Sequence, residues 1–397
     1  MEHFGLKPAD ILLPKGKFEK FSVIACDQYT SEPDYWEKVN EITKDEVSAR
    51  HIILPEIYLN RDVDKQIESI NRTMQKYIDN EEFTEHKNAV IYVERTQSDN
   101  KIRHGLVGLV DLEDYDYSKG SKKLIRATEQ TVLERIPPRV KIRKDAPLEL
   151  PHIMLLIDDP DNTVIKPVTE QKERFEKAYD FDLMMNAGHI VGYFTDESAQ
   201  SAISDALSAL VEKSDDKFLF AVGDGNHSLA TAKECYKQNP TEKSRYALVE
   251  VVNIHDDALQ FEPIYRVLFN VDYKDVLDYL KANAPAGENN QDFVCVHDGI
   301  DEELTLGALS KLPVGTLQKL LDDYVAKNDG VSIDYIHGIS SVREICKQKA
   351  TLGFIFDGMK KDELFPAIKQ DGSLPRKTFS MGHADDKRFY VEARKIK

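Results

Sequence analysis

Residues 218–236 constrain this chain more than any other stretch. Phe218-Leu219-Phe220-Ala221-Val222 is a continuous apolar run of strand length, and Gly223-Asp224-Gly225-Asn226-His227-Ser228 follows it directly. Helix-forming residues then fill positions 229–236. Strand, glycine-rich turn and helix in that order point to a mixed α/β fold.

The turn has a chemistry of its own. Gly223 and Gly225 let the backbone bend tightly and approach a ligand closely. A helix beginning at about Ser228 offers unpaired N–H groups and the positive end of its dipole, which suits phosphate. Asp224 is placed to hold a magnesium ion that bridges phosphate oxygens, and Asn226 and His227 add donors. The plainer alternative makes Asp224 or Asn226 an N-cap and His227 a satisfied surface group. The turn lacks the lysine of a P-loop, and its glycines do not spell the dinucleotide fingerprint, so both of those classes are disfavoured.

Elsewhere the pattern alternates short strands with helices. Apolar runs at 21–25, 51–54, 89–93, 105–112, 153–157 and 246–254 read as strands, the third and fourth joined in a hairpin. Helices are expected from Ser31 or Asp34 onward, over 62–79 and over 197–212, each with apolar residues three or four apart. After residue 270 short helices (276–284, 314–325) and strands (352–356, 389–394) dominate. Two regions follow: 1–270 holding the glycine turn, and a smaller 271–397 that has the option of returning strands to the main sheet.

Three further stretches with basic residues stand out. Arg126 and Glu129 fall three apart on a presumed helix that Pro137-Pro138 ends. Arg139-Val140-Lys141-Ile142-Arg143-Lys144 alternates basic and apolar residues, as a strand facing three cations one way. Near the C-terminus Arg376-Lys377-Thr378 joins two cations to a hydroxyl, the makings of a phosphate site or of an ordinary basic turn.

Composition narrows the partners. The 397 residues carry 53 basic and 70 acidic side chains, a net charge of −17, which argues against a nucleic-acid surface. Against that excess a local basic face suggests a nucleoside triphosphate. Four scattered cysteines signal neither a zinc knuckle nor a disulfide framework. No signal segment is evident and no run approaches the ~18 apolar residues of a membrane helix, so a soluble cytoplasmic protein is expected.

These motifs occur in an order that resembles the bacterial and archaeal DUF1015 family over essentially the whole chain. That family has a glycine-containing strand (here 105–115) before an Arg-x-x-Glu-x-Thr segment, matched by Arg126, Glu129 and Thr131. Its strand–DGHHR–helix element is matched by Asp224-Gly225-Asn226-His227-Ser228. Its Pro-x-(His/Tyr)-Arg is matched by Pro263-Ile264-Tyr265-Arg266, and its Pro-x-Lys-Ser/Thr by Pro375-Arg376-Lys377-Thr378. The DGHHR element is also similar to that of the ParB/sulfiredoxin-like superfamily, which binds or turns over nucleotides and includes free serine kinases. The resemblance implies a ParB-like nucleotide core elaborated with further α/β segments, and a phosphate site at Asp224 to Ser228. Asn226 departs from the first histidine of the pair and Ser228 from the arginine. A distal cation (Arg126, Arg139, Arg376 or Lys377) then takes the arginine's place, or turnover is lost.

The expected chemistry is Mg²⁺-dependent transfer or hydrolysis of a terminal phosphoryl group of ATP, ADP or CTP, with Asp224 and His227 in the site. An N-terminal carboxylate, Asp27 or Glu32, takes the proton of a small-molecule acceptor. A nucleotide-gated binding module without turnover and a metal-dependent phosphohydrolase are the alternatives, and a homodimer is compatible with either.

Overall fold

In the computed structural model, which describes residues 3–59, 62–129, 136–286 and 289–397, the apolar run becomes the strand Phe220–Asp224. Phe220, Ala221 and Val222 are buried on both faces, as a central strand requires. Among the described residues it belongs to a mixed sheet of nine strands. Their order is Glu176–Asp182, His189–Phe194, Ile91–Thr96, Ile102–Asp111, Tyr246–Asn253, Met154–Ile157, Phe220–Asp224, Ile125–Ala127 and Tyr115–Asp116. Phe220–Asp224 runs antiparallel to Met154–Ile157 and parallel to Ile125–Ala127. The hairpin forms between Ile91–Thr96 and Ile102–Asp111. The fold is mixed α/β.

Helices follow the apolar spacing where it is regular. Pro33–Thr43 buries Trp36 and Val39, Val63–Asp79 buries Ile67, Ile70 and Met74, and Glu197–Glu212 buries Ala199, Ile203 and Leu207. The last is capped by Asp196, whose side chain accepts the Ala199 N–H at 2.8 Å.

Several local expectations fail for identifiable reasons. Only Val23–Ile24 of the run 21–25 is a strand, because Phe21 ends the short helix Phe18–Phe21. Residues 51–54 are not a strand. Ser48 accepts the Arg50 N–H at 3.2 Å and starts the 3₁₀ turn Ala49–His51, and Ile52 to Leu54 are buried without joining a sheet. The alternating basic stretch is the helix Ile136–Arg143, not a strand. Pro137 and Pro138 do not end a helix. They lie within the helix Ile136–Arg143. Arg126 lies on the strand Ile125–Ala127 rather than on a helix. Gln130, Thr131, Glu134 and Arg135 lie outside the described residues.

The chain divides into two compact units. One is Met1–Ala127, Thr131–Leu259 and His383–Lys397, and the other is Thr128–Gln130 with Gln260–Gly382. The first unit thus stops at Leu259 and includes the last fifteen residues. There the expected strand 389–394 is two short ones: Phe389–Tyr390 pairs with Val23–Ile24, and Arg394–Lys395 pairs with Leu148–Glu149. The second unit has a sheet ordered Ile300–Gly307, Asn290–His297, Thr351–Ile355, Phe261–Phe269, Ser332–His337, with Phe379–Met381 also paired to Phe261–Phe269. Its helices Tyr273–Asn283 and Pro313–Lys327 bury Val276, Leu280, Leu317 and Leu321. Among the described residues no helix is long and apolar enough to cross a membrane.

Candidate functional site

Asp224 ends its strand opposite Met154, after a bulge between Val222 and Asp224. Gly225 then turns the chain with φ at +77°. A Cβ at Gly225 would stand 3.0 Å from the Cα of Ile153, so strain and crowding both call for glycine. The helix consequently begins two residues earlier than expected, as Asn226–Gln238, with Gly225 as an N-cap that has no side chain to cap it. Its N-terminus is an anion-favouring end.

Asp224 is held in place on both oxygens. Oδ1 accepts the Gly225 N–H at 2.8 Å, and Oδ2 lies 3.5 Å from Lys387 Nζ. Among the described residues no group of three His, Cys, Asp or Glu side chains is gathered as a metal cage. Asn226 is buried and its Nδ2 donates to the Val222 carbonyl at 3.3 Å, closing the turn on itself. His227 is half-buried, and its carbonyl accepts the Thr231 hydroxyl at 2.7 Å.

Ser228 leads to residues the sequence gave no reason to select. Its Oγ is 3.1 Å from His152 Nε2, and His152 Nδ1 is 2.8 Å from the Tyr390 hydroxyl. Tyr390 in turn accepts the Cys26 N–H at 3.2 Å. His152 Nε2 also lies 3.9 Å from Asp27 Oδ2, whose other oxygen accepts from Gln28 Nε2 at 3.0 Å. Burial pushes the Asp27 carboxyl up, but the His152 imidazole, the Gln28 amide and the Lys387 ammonium outweigh it. Together they hold it below the usual carboxylate range. Burial, helped by Asp27, pushes the Cys26 thiol up to about 12, so it is no nucleophile.

The site therefore draws on the loop 25–28, on His152 just before a strand, on the turn 224–228 and on the C-terminal tail. His152, Lys387 and Tyr390 were missed because nothing local marks them. They are tens to hundreds of residues from Asp224, and only the strand register and the returning tail bring them together. Of the two candidate bases, Asp27 is in this cluster. Glu32 sits exposed at the start of the helix Pro33–Thr43.

The candidate cations are placed differently. Arg126 donates from Nη1 to Asp216 Oδ2 at 2.6 Å, from Nη2 to the Asp216 carbonyl at 2.9 Å and from Nε to the Lys123 carbonyl at 3.0 Å. Its guanidinium is 4.4 Å above the Phe218 ring. It fastens the loop ahead of the central strand. On the helix Ile136–Arg143, Arg139 pairs with Glu56, Lys141 with Asp64 and Arg143 with Glu149, so the presumed basic face meets carboxylates instead.

Glu129, Arg376 and Lys377 belong to the second unit. Glu129 Oε1 accepts the Lys377 N–H at 3.1 Å, and Arg376 Nε donates to the Tyr335 hydroxyl at 2.7 Å. Arg266 is fully buried and donates to the carbonyls of Ile264, Lys377 (2.9 Å) and Arg376 (3.0 Å) and to Gln318 Oε1 (2.8 Å). Burial lowers its guanidinium to about 10. The segments Pro263 to Arg266 and Pro375 to Thr378 are thus one assembly, with Arg266 as its internal clamp.

Comparison with known proteins adds the family. No curated protein matches the chain. Among solved structures it is similar to a free serine kinase in complex with AMP, at 12% identity and a TM-score of 0.42, covering 76% of this chain and 94% of that one. It is also similar to a conserved hypothetical protein from Pyrococcus furiosus, at 11% identity and 0.39, covering 73% and 95%. A C-terminally truncated SbnI from Staphylococcus aureus matches at 9% identity and 0.38, covering 70% and 82%. The family described as "Protein of unknown function (DUF1015)" matches residues 6–394, which span the turn, both arginine motifs and the returning tail alike, and the chain belongs to it.

Proposed function

We propose that this protein binds a nucleotide (ATP, ADP or CTP) or a phosphorylated small molecule at the turn 224–228. There it transfers or hydrolyses the terminal phosphoryl group as a small-molecule kinase does, on a ParB-like core. One observation carries the reading: the Lys387 ammonium lies 3.5 Å from Asp224 Oδ2, on the turn that opens the helix Asn226–Gln238.

Helix N–H groups and Lys387 neutralise phosphate oxygens, and Asp224 orients Lys387 and fixes the turn. Asp27, kept ionised, takes the acceptor's proton as the acceptor oxygen bonds to phosphorus and the bond to the leaving oxygen breaks. Positioning and charge neutralisation are most of what phosphoryl transfer demands. Magnesium would come with the nucleotide's own phosphates and neutralise their charge, and Asp224 would be the residue to hold it.

Purified protein with ATP, ADP, CTP and GTP, with and without Mg²⁺, tests this by thermal shift. A nucleotide at ~100 times its dissociation constant adds about 2.7 kcal/mol of stability. Asp27→Asn should keep that shift and lose turnover, and Lys387→Met should lose the shift. Absence of any shift with every nucleotide and with inorganic phosphate overturns the reading. Binding without turnover is the second reading, favoured by Ser228, whose hydroxyl engages His152 where the family has arginine. A wild-type protein that shifts but releases no phosphoryl product decides for it.

A further inference from the structure

Beside Cys26 and His152 the first unit has a half-open pocket of about 150 Å³. Much of its wall is apolar, with Ile53, Leu54, Met74, Ile142, Leu148 and Leu248 among the lining residues. The remaining polar part includes Ser228, His152, Tyr390 and Cys26, the same hydrogen-bonded cluster that reaches Asp27. The charged side chains at the wall are already matched. Arg143 pairs with Glu149, Glu149 Oε1 also holds Arg394 Nε at 2.7 Å, and Arg139 pairs with Glu56.

We propose that this cavity is a binding site for a small, uncharged alcohol with an apolar body. Its hydroxyl hydrogen-bonds Ser228, whose Oγ is 3.1 Å from His152 Nε2. An apolar space of this volume takes a benzene-sized body, about six to seven non-hydrogen atoms. A zwitterion such as an amino acid would have to break buried ion pairs to find partners for its charges. The pocket ends at hydrogen-bonding groups, one of which, His152, lies 3.9 Å from Asp27. Resting on the function proposed above, the alcohol is the phosphoryl acceptor. Its oxygen forms the new bond to phosphorus, its proton passes to Asp27, and the electron pair of the broken bond leaves with the oxygen of the departing group.

Cyclopentanol, cyclopentane, glycerol and L-serine serve as probes of the full-length protein, by calorimetry and thermal shift without nucleotide. Cyclopentanol should bind, cyclopentane at least tenfold more weakly, and glycerol and serine not measurably. Ala146→Leu adds three carbons to the cavity wall and should weaken cyclopentanol at least tenfold. Ile53→Phe serves if that variant fails to fold, as judged by circular dichroism. Ser228→Ala should cut the preference for cyclopentanol over cyclopentane several-fold without affecting cyclopentane itself. No cyclopentanol binding up to its solubility, unchanged binding in the filled variant, or binding of serine instead each overturns the proposal. Alcohol binding without any nucleotide shift leaves the cavity site standing and removes the kinase reading. A nucleotide shift without alcohol binding does the reverse.

Discussion

Gly225 shows how much one backbone position decides here. Its positive φ reverses the chain between strand and helix, and the Ile153 backbone leaves no room for a Cβ. Gly225→Ala should therefore cost about 1–3 kcal/mol in chemical denaturation, with loss of ligand response. Neighbouring side chains divide into those that build the turn, such as Asn226, and those that join the His152 cluster, such as Asp27. Lys387→Met removes an ammonium that serves both Asp224 and Asp27, so a cost of about 1 kcal/mol or more is expected in chemical denaturation. Its phosphate or nucleotide affinity should fall at least tenfold in calorimetry, and an unchanged affinity would remove Lys387 from the site.

At the level of elements, buried charges tie distant segments together. Glu149, on the strand Leu148–Glu149, holds Arg143 of the helix Ile136–Arg143 and Arg394 of the final strand, and accepts the Leu248 N–H at 3.1 Å. Burial pushes its carboxyl up, but the two guanidiniums more than reverse this and leave it below the usual range. A depressed native value means stability that is present at neutral pH and lost as pH falls through that value. Glu149→Gln should thus cost about 3–5 kcal/mol near pH 7. The gap to wild type should narrow below about pH 4, where unfolded glutamate is protonated. A pH-independent gap would refute the assignment. In the second unit Arg266→Met strands several backbone carbonyls that its guanidinium serves. The expected loss is about 3 kcal/mol or more in urea unfolding, because each unsatisfied buried group costs about 1–3 kcal/mol.

Across the whole molecule, the last fifteen residues matter out of proportion to their number. They supply Lys387 and Tyr390 and are anchored by a buried network. Arg388 Nε lies 2.9 Å from Glu250 Oε2 and its Nη2 2.8 Å from Glu392 Oε2, while the Tyr179 hydroxyl donates to Glu392 Oε1 at 2.6 Å. Arg388→Met leaves the buried Glu392 without its guanidinium and Glu250 with Arg103 in place of two. Hydrogen exchange should then quicken in the strands Tyr246–Asn253 and Met154–Ile157 while Phe261–Phe269 keeps its protection. Equal loss in both units would show that the network is not confined to the first.

Local physics determined much from the sequence alone. Regular apolar spacing fixed the helix Glu197–Glu212, the continuous apolar run announced the central strand, and the glycines marked the turn. Each signal lies within a few residues, where periodicity and backbone freedom suffice. The helix at Pro137-Pro138, the 3₁₀ turn before Ile52 and the split tail strands were not legible. Those depend on what packs or pairs against them, which short-range pattern does not encode. For the same reason Asp27, His152, Lys387 and Tyr390 became one cluster only in the tertiary structure. A sheet register and a returning tail set distances between side chains that no spacing along the chain can report.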